Sequence, residues 1–246
     1  MSTDDGPGYY EHLSFNAPLS DRRAGRIVSR LAASAPSVVL DVGCGWGELL
    51  LRVLEACPAA TGVGVDTDGR ALERARANAA RRGLDDRVEL LQADAGDASG
   101  TADVVLCIGS SHAFGDTAQA LSALRERVRP GGRLVLGEGT WNTPAADADL
   151  SLVPDDLPRL ADLAGLVELA VGAGYRPLFV ETASVEEWDT FESGYLADWE
   201  EWLVAHPGHP DADRIRQRAD DHRTRWLRGY RTGLGFAYLT LGLPTQ

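Results

Sequence analysis

The chain has 246 residues, 44% hydrophobic and 25% charged, which is enough for one large α/β domain with its own core. A formal net charge of -13 argues against a nucleic-acid backbone or an anionic membrane as the main partner. All 24 cationic residues are Arg, so a lysine Schiff base, a P-loop lysine and a lysine general base are excluded.

Asp4, Asp5 and Gly6 stand where a signal peptide needs positive charge and an apolar run, and no stretch has the length of a membrane span. The expectation is a soluble, cytoplasmic protein. Tyr9-Tyr10-Glu11-His12 precedes an amphipathic helix expected over Ser20 to Ala33. Strand–helix alternation then runs from residue 37 to about 180. Val38 to Val42 reads as a buried strand and Glu48 to Ala56 as its helix, with Gly43, Gly45 and Gly47 between them. Such a turn leaves backbone N–H groups free for a ligand that meets no Cβ. Thr61 to Val65 is the second strand, and Arg70 to Arg82 a helix ended by Gly83. Val88 to Gln92 and Asp103 to Ile108 are the third and fourth strands. A helix from about Thr117 to Val128 stops at Arg129-Pro130-Gly131-Gly132, and Arg133 to Leu136 is the fifth strand. Thr140 to Pro158 is a Pro- and Asp-rich loop, Ala161 to Ala173 a helix, and Tyr175 to Thr182 the sixth strand. Residues 184–232 read as helical, and Leu234 to Leu243 alternates as the last strand.

This pattern predicts a doubly wound, mostly parallel, seven-stranded Rossmann-like sheet in a single domain spanning 1–246. Residues 1–35 form an N-terminal helical cap, 36–183 and 233–246 the core, and 184–232 a helical insertion before the last strand. Cys44, Cys57 and Cys107 are widely spaced, which supports neither a disulfide framework nor a zinc site. His206 and His209 lie in a His-Pro-Gly-His-Pro turn with no third ligand nearby, so no metal is expected.

The glycines fall as G-x-G-x-G, and Glu48 occupies the third glycine position of a dinucleotide site, where it would face a pyrophosphate. Asp41, two residues before the first glycine, suits a ligand with a positive amino group. Asp41-Val-Gly-Cys-Gly-Trp-Gly resembles motif I of the class I S-adenosylmethionine-dependent methyltransferases. The family's other segments follow in order: Gly62-Val-Gly-Val-Asp66, Leu91-Gln-Ala-Asp94-Ala95, Asp103-Val-Val-Leu-Cys-Ile-Gly-Ser and Arg129-Pro-Gly-Gly-Arg-Leu-Val-Leu. Together they cover about residues 37–137. The resemblance implies S-adenosylmethionine as cofactor, with Asp41, Gly43, Cys44 and Gly45 at the turn. Asp66 and Thr67 then sit at the ribose, Asp94 and Ala95 at the adenine, and Cys107, Ile108 and Gly109 near the methionine amino group.

Beyond the strand ends, topology puts His112 and Glu138 near the transferring methyl. His112 is the candidate general base; Glu138 would orient it or bind a cationic acceptor. Trp188, Phe191, Tyr195, Trp199 and Trp202 follow helical steps along one face. The plainer reading is that this stripe docks the extra helices, and the functional reading is that part of it walls an apolar acceptor pocket. About fifty residues stand where relatives have a tight hairpin, so the insertion is read as a lid. Tyr10, His12, Trp141, Tyr195 and Trp199 are the candidate acceptor-binding residues.

The expected activity is methyl transfer to an O or N nucleophile of a small-molecule acceptor, with C-methylation of an activated acceptor as the alternative. Arsenic-type chemistry is disfavoured by the scattered cysteines. A protein or nucleic-acid acceptor is disfavoured by the acidic charge and by the lack of an Asn/Asp-Pro-Pro-aromatic motif. A nicotinamide-dependent oxidoreductase would need the missing glycine and a Tyr/Lys pair. A non-catalytic module that only holds the cofactor is the remaining alternative.

Overall fold

The alternation folds as seven strands: β1 Val38–Val42, β2 Thr61–Asp66, β3 Val88–Gln92, β4 Ala102–Ile108, β5 Val128–Trp141, β6 Arg176–Thr182 and β7 Leu234–Gly242. They form one sheet in the order β3-β2-β1-β4-β5-β7-β6. β1, β2, β3, β4 and β5 run parallel, and β6 pairs antiparallel to β7. This computed structural model describes residues 6–98, 100–142, 149–154 and 157–245. Asp4, Asp5 and parts of the Pro- and Asp-rich loop, at 143–148 and 155–156, lie outside the described residues.

The chain divides into two compact units, each taken here by itself. A sheet unit comprises Ser20–Thr140, Ala161–Thr182 and Phe236–Gln246; a helical unit comprises Met1–Leu19, Trp141–Leu160 and Ala183–Gly235. Helix α1 (Asp21–Ala32), expected as part of an N-terminal cap, belongs to the sheet unit. Ser20 caps it, its hydroxyl oxygen accepting from Arg23 N–H at 3.3 Å, and Arg23, Arg26 and Arg30 converge on Glu181 of β6. Burial alone would raise the Glu181 pKa, but hydrogen bonds from Arg26 and Arg30 outweigh it and hold the carboxyl low.

The other helices of this unit are α2 (Glu48–Ala56), α3 (Gly69–Arg81), α4 (Thr117–Arg125) and α5 (Leu163–Gly172). Val39, Val42, Val104, Val105, Leu106, Leu134, Val135 and Leu136 are fully buried, as strands covered on both faces must be. α4 stops three residues earlier than its apolar pattern predicts. The Arg129-Pro-Gly-Gly segment, expected as a turn, is strand, because β5 already pairs at Val128 with Ala102. The register shifts there, and a Cβ on Gly132 would lie 2.8 Å from the carbonyl oxygens of Arg129 and Asp103, so this irregularity needs glycine.

In the helical unit, α6 (Val185–Ala205) starts with a capping box. The Ser184 hydroxyl oxygen accepts from Glu187 N–H at 3.2 Å, while the Glu187 carboxylate accepts from Ser184 N–H at 2.8 Å. α7 (Ala212–Thr224) continues into a π-helical turn, Arg225–Tyr230. Leu196, Ala219, Trp226 and Tyr230 form its core, with Trp141, Tyr195 and Trp199 packed against them. Most of the α6 stripe is thus this unit's own packing. His206 and His209, in the loop before α7, each lie with ring centroid 4.9 Å from that of Trp202. Among the described residues no helix is long and apolar enough to cross a membrane.

Candidate active site

Register brings the strand ends to one edge. Val42 pairs with Val65, Asp66 with Gln92, and Ile108 with Gly137. The strand order reverses between β1 and β4, and a crevice opens at such a switch point beyond the carboxyl ends. The glycine turn leaves β1 at this place.

The turn is tied to β2. Gly43 and Cys44 N–H both donate to the Val65 carbonyl at 2.8 and 3.0 Å, Gly47 N–H donates to the Cys44 carbonyl at 2.9 Å, and Gly45 N–H donates to Asp66 Oδ2 at 2.7 Å. The expectation of free amides is therefore corrected: these donors are spent on holding the turn. What the turn offers instead is close approach. Gly43, Gly45 and Gly47 all have positive φ, and a Cβ on Gly45 would meet nothing within 4 Å, leaving an open cradle. A Cβ on Gly43 would lie 2.3 Å from the Cβ of Ser110. Ser110 was not legible in advance. Its hydroxyl donates to the Val42 carbonyl at 2.6 Å and lies 3.2 Å from Cys107 Sγ, which locks the β4 loop against the turn.

Asp41 is 4% exposed, and none of the hydrogen bonds or ion pairs described reaches its carboxylate. Burial first, and the nearby Asp66 charge second, push its pKa up to about 8. An acid in this state is poised to receive a cation. Asp66, at the tip of β2, accepts from Gly45 and Asp68 N–H, one bond per oxygen, and keeps further acceptor capacity. Thr67 and Asp94 are exposed beside it, and Ala95 is buried in the short turn that Asp94 opens. Cys107 is buried, Ile108 half-buried and Gly109 exposed at the end of β4. Burial pushes the Cys107 thiol up to about 12 despite its Ser110 contact, and raises Cys44 as well, so neither is a ready nucleophile. Glu48 is held by Arg52 and Arg82 at 2.7 and 2.5 Å.

At the end of β5, Glu138 is 8% exposed. It accepts from Gly139 N–H at 3.1 Å and Thr117 Oγ1 at 3.4 Å, and hydrogen-bonds Ser111; burial nevertheless raises its pKa. His112 stands exposed on the short turn Ser111–Phe114 and acts electrostatically on Glu138. The two expected groups are thus neighbours. The orienting bond expected between them is absent among the described residues, where Glu138 is held by Ser111, Thr117 and Gly139 instead.

The five residues expected at the acceptor, Tyr10, His12, Trp141, Tyr195 and Trp199, all belong to the helical unit. His12 Nε2 pairs with Glu201 at 3.2 Å and approaches Asp198 at 3.7 Å. The ring centroids of Tyr10 and Tyr195 are 5.6 Å apart, and those of Tyr195 and Trp199 5.2 Å.

Residues 40–134 match the family model described as "Methyltransferase domain". The chain is 26% identical over 235 residues to the uncharacterized protein YjhP of Escherichia coli K12, with 94% of each covered. The crystal structure of YjhP superposes with a TM-score of 0.84 at 24% identity, covering 96% of this chain and 97% of that one. A demethylmenaquinone methyltransferase of Thermus thermophilus is 39% identical over 129 residues, 51% of this chain; the match spans a little over half, 57%, of that enzyme. A methyltransferase of Geobacter sulfurreducens, crystallised with S-adenosyl-L-homocysteine, has the same fold, with a TM-score of 0.80, 24% identity and 92% of each chain covered.

Proposed function

We propose that the chain is a class I S-adenosylmethionine-dependent methyltransferase that moves a methyl group to an oxygen or nitrogen of a small-molecule acceptor, a reading supported by the methyltransferase-domain match over residues 40–134. The observation that carries this reading is Asp41: a buried carboxylate without a cation of its own, at the strand end beside the open Gly45 cradle. The residues present fit the cofactor. Asp41 would take the amino group, with the Cys107, Ile108 and Gly109 backbone at the same end. Gly43, Cys44 and Gly45 would let the cofactor approach closely. Asp66 and Thr67 would take the ribose, and Asp94 and Ala95 would frame the adenine.

When bound, the cofactor supplies a methyl carbon made electrophilic by its sulfonium. The chain's remaining task is alignment of the acceptor and relief of its proton. Glu138 and His112 are assigned that second role. A carboxyl with a pKa raised by burial holds a proton more readily than an exposed one, which suits it to accept from an O–H or N–H. The presence of proton acceptors at this end favours oxygen or nitrogen over carbon as the methylated atom.

The test is calorimetric titration with S-adenosylhomocysteine. Asp66→Ala should weaken binding by about tenfold or more while circular dichroism stays unchanged. Unchanged affinity in a folded variant would contradict the ribose assignment.

A further inference from the structure

The helical unit holds a cavity of about 400 Å³ between α6 and α7 whose charged lining the methyl-transfer reading leaves unused. Its walls combine two features, in a chain whose net charge is -13. One is aromatic. Tyr195 and Trp199 line it, and His222 stacks on Tyr195 with ring centroids 4.8 Å apart. The other is cationic. Arg214 and Arg218 of α7 and Arg225 of the π-helical turn that follows line it, against a single acid, Asp221.

The charges are not mutually satisfied. Arg214 is held by Asp211 at 3.1 Å, and Asp221 accepts from Gln217 at 2.8 Å. Arg218 and Arg225 have no carboxylate partner among the described residues; the Arg218 guanidinium instead lies 4.6 Å from the Trp199 ring centroid. His222 is fixed from behind. Its Nε2–H donates to Glu192 Oε2 at 2.7 Å, and Tyr230 Oη donates to the other oxygen of that carboxylate at 2.8 Å. Glu192 is 3% exposed, so the imidazole is anchored to a buried group, and Nδ1 is the nitrogen left for a ligand.

We propose that this cavity binds a planar organic anion of the aryl carboxylate class. The ring would lie in the groove beside Tyr195 and Trp199, and the carboxylate would be taken by Arg218 and Arg225. Guanidinium groups match a carboxylate in shape and charge, and aromatic walls match a flat ring. Tyr195 and Trp199 are shared with the residues expected at the acceptor, whereas Arg218, Arg225 and His222 have no part in the methyl-transfer reading and carry this inference.

The experiment titrates the full chain with 2-naphthoate at low ionic strength, read by calorimetry and by tryptophan fluorescence, with saturating S-adenosylhomocysteine present throughout. Saturable binding is expected, with 2-naphthylmethanol, the uncharged analogue, about tenfold weaker or worse. The Arg218→Gln/Arg225→Gln double variant changes two exposed side chains, so its melting temperature should hold while 2-naphthoate affinity falls by about tenfold or more. Any of three results overturns the proposal: no saturable binding, equal affinity for the uncharged analogue, or full affinity in the folded double variant.

Discussion

The two units bury acids in different ways. In the helical unit each has partners. Glu192 is bonded by His222 and Tyr230, Asp198 accepts from Glu11 N–H with His12 beside it, and Glu187 closes the α6 capping box. In the sheet unit Glu138 is bonded likewise, by Gly139 N–H and two hydroxyls, but no hydrogen bond or ion pair among the described residues reaches the Asp41 carboxyl. A buried acid without a partner is costly to ionise and so holds its proton, and a fold keeps one only where something else gains from it. The unpartnered acid, Asp41, therefore marks the place for a ligand, while an acid with partners can serve architecture.

The contrast is broken most directly by comparing stabilities. Glu192→Ala should cost about 3 kcal/mol, because it strands His222 and Tyr230 and opens a void. Asp41→Asn without cofactor should cost no more than about 0.5 kcal/mol, or should stabilise. Urea denaturation of both variants at neutral pH decides it, and equal costs would abolish the distinction.

Next in size is the effect on turnover. Glu138→Gln and His112→Ala should each slow methyl transfer by about a hundredfold, with cofactor affinity unchanged, if they share the acceptor's proton. A loss of only a few-fold in both would leave alignment alone as the source of rate.

The smallest effect is a proton. Without a cation beside it, native Asp41 keeps its proton up to about pH 8, whereas the unfolded chain releases it near the ordinary carboxyl value of 3.8. The native state binds more protons across that window, so this group's contribution to stability falls as pH rises through it. Asp41→Asn should flatten that slope. Cofactor binding near neutral pH should release about one proton in the wild type and none in Asp41→Asn, measured by calorimetry in buffers of different ionisation enthalpy. No release in the wild type would place the cofactor's amino group elsewhere.

How much of this was legible in the sequence depended on range. β1, β3 and α2 fall where local pattern put them, because apolar runs and turn glycines are short-range signals. The β5 start was misjudged because Val128 is recruited by Ala102, a pairing across 26 residues. The place of α1 was misjudged because three arginines find Glu181, more than 150 residues away. At the site, Asp41, Asp66 and Glu138 were readable as residues, but their states were not. Burial and the Ser110 lock arise only when separate strand ends meet.

That lock has a consequence for inheritance. Ser110 fills the space that a side chain at position 43 would need, and residue 43 has φ +72° besides. The two positions should covary among homologous chains: because the nearest atom is the Ser110 Cβ, anything larger than glycine at 43 requires glycine at 110. Even then the left-handed backbone adds a cost of about 1 kcal/mol. An evolutionary route away from glycine at 43 must therefore pass first through position 110, in the loop after a different strand.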